Sequence, residues 1–293
     1  MDLPLVVGVD GSEPSLRAVD WAADEAVLRG IGLRVVYASL WERYEGGSLS
    51  EDLGKPSEEV LAEDVVESAA RRARERHPDL KVTPVVLPEE PEYALVHEGR
   101  QASAVVVGSR GRSGVAEFLL GSVSLTVAAQ ADCPVIVLRG NQDKQAVPGT
   151  HGRVVLGVGE DGAESPAVRF AVGEAQLRGV PLEAVRAWRC PAHETTDHPL
   201  MAGEPARLHE QRAAEALDGA LHDVPADADV HRRTVEGHAR RVLADLSHDA
   251  DLLVVGAKRR EGHFGLQLGR VTHAALHHSA CPVAVVPGPV RPK

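Results

Sequence analysis

The sequence predicts an α/β protein of two tandem domains, each a parallel sheet covered by helices. Three observations predict it. Short Val- and Leu-rich runs alternate with helical patterns, as in parallel strands joined by crossover helices. Only nine of the 293 residues are Phe, Trp or Tyr, so the cores rest on Val, Leu and Ala, which suit sheets buried on both faces. The third observation is a repeat. Gly108 and Gly256, Gly121 and Gly269, and Cys133 and Cys281 lie 148 positions apart, and Gly8 and Gly157 lie 149 apart. A near-constant offset over this length marks a tandem duplication and is too long for a solenoid period. The expected boundaries are a domain over residues 1–139, a polar linker over 140–152 and a second domain over 153–288.

Taken in order, Leu3 to Val9 reads as a buried strand and Asp10-Gly11-Ser12 as a turn. Ser12 supplies an N-cap and Pro14 an early helical proline. Leu16, Val19, Ala23, Ala26 and Val27 form the apolar face of the first helix, which Gly30 ends. Leu33 to Ala38 is the second strand, followed by a polar loop over 39–56. A long helix runs from Ser57 to about His77, where Pro78 stops it. Val82 to Leu87 is the third strand. A short helix over Pro91 to Arg100 turns Ala94 and Leu95 inward, with Val96 a further candidate. The final helix runs from about Gly121 to Gln130, and Cys133-Pro134 leads into the strand Val135 to Leu138.

The most informative stretch is AVVVGSRGRSGVAEFLLGSV, Ala104 to Val123. A buried strand, a glycine loop and a helix N-terminus build an anion site from backbone. Glycine lets main chain approach a phosphate, and N–H groups of the first helical turn point at it. Ser122 can cap that helix or donate its hydroxyl to a phosphate oxygen. The spacing Gly108-x2-Gly111-x9-Gly121-Ser122 is neither the P-loop nor the dinucleotide fingerprint. In parallel α/β sheets ligands sit at the carboxyl ends of strands near a topological switch point. Asp10 and the Gly108 loop both fall there.

The net charge of −11 argues against nucleic acid as the main partner, because that needs a basic face. Arg71, Arg72, Arg74 and Arg76 read as one solvated helix face. The three cysteines form no disulfide framework. The opening MDLPLVVGVDGS shows no secretory pattern, and no apolar run approaches the length of a membrane span. The expectation is a cytoplasmic protein without membrane contact.

VVGVDGSEPSLRAVDWA and VVVGSRGRSGVAEFLLGSVSLTVAAQADCPVIVL strongly resemble the universal stress protein family. Gly108, Gly111, Gly121 and Ser122 match the family's G-x2-G-x9-G-S/T ATP-binding signature. The resemblance covers nearly the whole chain as two copies, similar to the tandem proteins of actinobacteria. It implies five strands per domain in the order 3-2-1-4-5, with helices on both faces. It also implies ATP as ligand, with Mg2+ as its counter-ion. Gly8 and Asp10 would face the adenosine end and the backbone near Ala38 the adenine. Gly108, Ser109, Arg110, Gly111 and Arg112, with Gly121, Ser122 and Val123, would hold ribose and phosphates. It further implies a homodimer or an intrachain pseudo-dimer, with the edge strands Val135–Leu138 and Val283–Val286 as the candidates for pairing.

The second half departs from the signature. Gly159 stands where the first has Asp10, Arg259 where it has Gly111, and Arg270 where it has Ser122. Only Gly256 and Gly269 remain. The second site is therefore expected to bind ATP weakly or not at all. The alternative is that Arg259, Arg260 and Arg270 hold a different anion.

Other candidates favour plain structural roles. His273, His277 and Cys281 share a helical spacing that zinc could use, but no fourth ligand is evident. His193, His198 and His209 lack regular spacing. Cys133 and Cys281 read as small buried apolar residues. Glu89, Glu90 and Glu92 around Pro91 read as a helix start. No nucleophile or G-x-S-x-G elbow accompanies Asp10. The expected function is thus an ATP-binding stress-response regulator or sensor, with no catalytic residues, acting on an unnamed signalling protein. The alternatives are an α/β enzyme that uses ATP to activate a substrate, and a structural dimer with vestigial sites.

Overall fold

The computed structural model describes residues 3–40, 57–109, 120–139, 151–159, 165–191, 204–257 and 268–288. The chain divides into two compact units, Met1–Asn141 and Gln142–Lys293. The first contains β1 (Leu5–Gly8), α1 (Glu13–Arg29), β2 (Leu33–Ala38), α2 (Ser57–Arg76), β3 (Val82–Leu87), α3 (Pro91–Glu98), β4 (Ala104–Gly108), α4 (Ser122–Gln130) and β5 (Val135–Leu138). The second contains β6 (Val154–Gly157), α5 (Pro166–Arg178), β7 (Leu182–Trp188), α6 (Glu204–Ala220), β8 (Val230–Glu236), α7 (Ala239–Leu246), β9 (Leu252–Ala257), α8 (Arg270–His278) and β10 (Val283–Pro287).

The strand order of the first unit is β3-β2-β1-β4-β5, with every pair parallel. The second repeats it as β8-β7-β6-β9-β10. Both match the expected 3-2-1-4-5 order. The first two crossovers run outward from β1, and the third returns past it to β4. With right-handed crossovers this reversal sets α1 and α2 on one face and α3 and α4 on the other. It also opens a switch point between β1 and β4.

Local chemistry explains the boundaries. Ser12 is the N-cap of α1, its hydroxyl accepting from the Ser15 N–H at 3.4 Å, and Pro14 lies in the first turn. Gly30 closes the helix at φ 67°, where its missing Cβ removes the left-handed penalty. The expected apolar face of α1 needs correction at Val27, which is 45% exposed. Ala18, Trp21 and Ala22 are buried instead, because α1 packs on the sheet and on α2 together.

The arginines of α2 are not simply solvated. Arg72 makes two bonds to the Asp20 carboxylate, both 2.6 Å, and Arg76 makes two to Asp24, at 2.5 and 2.7 Å. These bonds raise both guanidinium pKa values above the ordinary range. The forks fix the register of α2 against α1, although exposed pairs add little stability. A deeper device recurs in both units. Glu25 pairs with Arg29 at 2.6 Å, and Glu174 pairs with Arg178, one turn apart on α1 and α5.

Cys133, Cys190 and Cys281 are free thiols, the first and last buried. Burial pushes the Cys281 thiol up to about 12, so it stays protonated and unreactive near neutral pH. Native-state alkylation at mildly alkaline pH is therefore expected to label Cys190 first and to leave Cys133 and Cys281 unmodified. Peptide mass spectrometry checks this, and early labelling of Cys281 would contradict its burial.

Candidate functional site

Register brings three strand ends to one edge. Gly8 pairs with Val36, and Val7 with Val106. Extending both ladders by alternation leaves Ala38, Asp10 and Ser109 level at the carboxyl edge of β2, β1 and β4. This is the switch point at which an α/β sheet leaves room for a ligand.

The turn after β1 is tightly ordered. Asp10 Oδ1 accepts from the Ser12 N–H at 3.0 Å and from the Ser12 hydroxyl at 2.6 Å. The Asp10 N–H donates to Ser15 Oγ at 3.3 Å, and that hydroxyl donates to the Ser12 carbonyl at 2.8 Å. A short side chain bonding its own turn is what Asp does well. The result aims the first turn of α1 at the end of β4.

Gly108 exists for that approach. A Cβ there would lie 2.7 Å from the Pro14 carbonyl oxygen, 2.9 Å from its carbon and 3.1 Å from the Ser15 nitrogen. Backbone meets backbone, so only glycine fits. Gly8 is different. A Cβ there would meet the Leu95 methyls at 2.8 and 3.1 Å. Its small size serves the packing of α3 on β1. Gly157 repeats this against Leu243 at 2.7 Å.

The far end of the signature is tied back to the strand. The Gly121 N–H donates to the Ser109 carbonyl at 2.8 Å. Ser124 Oγ donates to the Gly108 carbonyl at 2.6 Å within the buried interior. The helix N-terminus is thereby fastened beside β4, and the N–H groups of Ser122, Val123 and Ser124 lie in a first turn that offers them no intrahelical acceptor. Ser122 is not the cap. Gly121 is the N-cap and makes no side-chain bond, while the Ser122 hydroxyl reaches Glu92 Oε1 at 3.4 Å. Glu92 sits in the first turn of α3, as a helix-start carboxylate should, and it also stands at the rim of the site. Arg110, Gly111 and Arg112 lie outside the described residues.

Sequence reasoning missed Ser124 and Glu92 as parts of this site. Ser124 had a signal, because Thr272 stands 148 positions later and donates to the Gly256 carbonyl at 3.0 Å. The same clamp thus holds both units. Glu92 had none, since its partner is thirty residues away.

The second unit keeps the frame and changes the site. α5 begins at Pro166, whose counterpart is Arg17, and the counterparts of Pro14 and Ser15, Ala163 and Glu164, lie outside the described residues. Among the described residues, a Cβ on Gly256 would find only the Ala167 methyl, at 3.8 Å. Gly159 replaces Asp10, and Arg186 from β7 donates through Nη1 to the Val158 carbonyl at 3.1 Å and to the Gly159 carbonyl. A guanidinium therefore covers the turn where the first unit presents a carboxylate. Arg259 and Arg260 lie outside the described residues.

His273 and His277 stack at 4.3 Å between ring centroids, and Cys281 is a buried protonated thiol. Among the described residues no cluster of three metal-ligating side chains occurs. His193 and His198 lie outside those residues. No helix among them is long and apolar enough to cross a membrane.

The model of the Universal stress protein family matches residues 3–139 and 150–287. The chain belongs to the universal stress protein family. It is 32% identical over 312 residues to the universal stress protein Rv1996 of Mycobacterium tuberculosis, covering 99% of this chain and 97% of that protein. It is 32% identical over 300 residues to Rv2005c of the same organism, covering 96% of each. The crystal structure of a universal stress protein from Archaeoglobus fulgidus DSM 4304 superimposes with a TM-score of 0.66 at 19% identity, over 97% of this chain and 98% of that one. The resemblance read from the motifs and the tandem α/β architecture are both borne out.

Proposed function

We propose that the first unit binds ATP and that the protein works as a cytoplasmic stress-response regulator, through binding rather than turnover. The observation that carries this reading is the Gly108 contact. Glycine there lets α1 close on β4, and the Ser109–Gly121 bond brings the α4 N-terminus to the same point. Backbone donors and a helix N-terminus gathered at a strand end suit a phosphate chain. Gly108, Ser109, Gly121, Ser122 and Val123 would hold phosphates and ribose, and Asp10 and Ala38 the adenosine end. The nucleotide would supply negative charge that orders this edge, and a partner would read the altered surface by linkage.

Native mass spectrometry tests the reading. One adenine nucleotide per chain is expected, on a homodimer. Two equivalent nucleotides per chain would overturn the asymmetry between the units. A nucleotide-free chain without a thermal shift on adding ATP would overturn the function. Rapid release of ADP or AMP with a co-substrate would favour an ATP-using enzyme instead.

Glu92 gives a second test. Its carboxylate beside Ser122 opposes an incoming phosphate, and Mg2+ would relieve the repulsion. A unit charge at ~4 Å in a water-like medium is worth about 1 kcal/mol. Glu92→Gln is therefore expected to tighten ATP binding about fivefold without Mg2+, and less with it. Calorimetry in both conditions measures the difference, and weaker binding in the variant would show that Glu92 assists the ligand.

A further inference from the structure

The corner of the second unit that corresponds to the Glu92–Ser122 rim has reversed its charge. Glu89, Glu90 and Glu92 of the first unit become Gly237, His238 and Arg240, Tyr93 becomes Arg241, and Ser122 becomes Arg270. The corner is well built. The Gly237 N–H donates to the Trp188 carbonyl at 2.8 Å, which pins the start of α7 to the end of β7. Gly237 has φ 153°, and a Cβ there would strike Val242 Cγ2 at 2.9 Å. From the end of β7, Arg189 Nη1 comes within 3.2 Å of His238 Nδ1. α7 packs on α8, which begins with Arg270. Glu92 and Ser122, at the positions of Arg240 and Arg270, are in side-chain contact at 3.4 Å.

These arginines have no carboxylate partner among the described residues. That sets them apart from Arg34, Arg72, Arg76 and Arg153, each of which pairs with Glu or Asp. Arg240, Arg241 and Arg270 are exposed. The field of Arg189 first, and also that of Arg240 and Arg241, pulls the pKa of His238 below its ordinary value. Arg186 adds a further positive charge at the switch point, held by the Val158 carbonyl. Like charges gathered at one corner repel until an anion joins them.

We propose that this corner binds a compact polyphosphate anion through Arg189, Arg240, Arg241 and Arg270. Four guanidinium forks match closely spaced phosphate oxygens, each fork donating two parallel N–H bonds to a pair of oxygens. A compact ligand fits better than a long polyanion, because the chain carries a net charge of −11 and a nucleic acid would extend beyond the corner over acidic surface. The site shares one position with the nucleotide signature, Arg270 at that of Ser122, and uses none of its glycines.

Calorimetric titration of the full-length protein with sodium tripolyphosphate, at neutral pH and physiological ionic strength, tests the proposal. A saturable site is expected that survives when the first unit is filled with ATP. R240Q/R270Q should weaken it by about tenfold or more, and R241Q alone should weaken it less. These side chains are exposed, so unchanged thermal unfolding will show that both variants fold. Arg212→Gln, on the exposed side of α6, should leave binding unchanged. In proton NMR the His238 titration should move up towards its ordinary range as tripolyphosphate neutralises the corner. Absence of saturable binding, or equal binding in R240Q/R270Q, would overturn the site. Tighter binding of a single-stranded oligonucleotide or a phosphopeptide, lost in the same variants, would overturn the compact ligand in favour of a macromolecule.

Discussion

Gly108→Ala is expected to destabilise the first unit by about 1–3 kcal/mol and to abolish ATP binding, while Gly256→Ala changes the second unit by less than about 0.5 kcal/mol. The two residues occupy equivalent positions, so local propensity cancels in the comparison. What differs is the neighbour. The Cβ that Gly108→Ala adds would stand 2.7 Å from the Pro14 carbonyl oxygen and 2.9 Å from its carbon. Those are backbone atoms in the capped first turn of α1, and no side chain can swing aside. The helix has to withdraw from β4. Its withdrawal disturbs the turn in which Asp10, Ser12 and Ser15 are bonded together. It also moves α1 from the edge at which phosphate would bind. At Gly256 the nearest atom among the described residues is 3.8 Å away, an ordinary contact. Hydrogen exchange resolved by unit, with calorimetric ATP titration, measures both effects. Equal effects at the two glycines, or full ATP binding by Gly108→Ala, would remove the argument.

Arg178→Met is expected to cost about 3–5 kcal/mol, the largest stability loss of any single change considered for the second unit. The Glu174 and Arg178 side chains are 2% and 6% exposed. Removing the guanidinium takes from a buried carboxylate a cation that offsets its desolvation. Replacing both residues, as E174L/R178M, should recover most of the loss, because apolar side chains of similar length need no such offset. In the first unit the Glu25 and Arg29 side chains are 3% and 14% exposed. Water reaches that arginine more easily, so Arg29→Met should cost less than Arg178→Met. Urea unfolding followed by unit-resolved exchange ranks the three variants. A double variant no more stable than Arg178→Met would show that the pair contributes specific bonding rather than charge compensation.

Much of the fold was legible because it is written in local pattern. Short apolar runs need no partner to be recognised: Leu33–Ala38, Val82–Leu87 and Val135–Leu138 fall where their apolar content places them. Ser12 and Gly30 mark the ends of α1 by chemistry confined to one turn. Val27 was misread because a periodic stripe does not reveal that α2 shares the burial of α1 with the sheet. The site was legible in outline, since Asp10, Gly108 and Gly121 all carry turn or helix-start signals. The roles within it were not. Gly8 and Gly108 look alike in sequence, yet one makes room for Leu95 and the other for the backbone of α1.

The sequence alone determined the duplication, the parallel α/β class, the nucleotide signature of the first half and its loss from the second. Each of these depends on residue identity at fixed spacing. The tertiary structure decided which glycine admits a helix, that Gly121 rather than Ser122 caps α4, and that Ser124 clamps the loop. It also decided that Arg186 covers the altered turn and that Arg189 and His238 meet beside Arg240 and Arg241. These outcomes depend on atoms brought together by crossovers between distant segments.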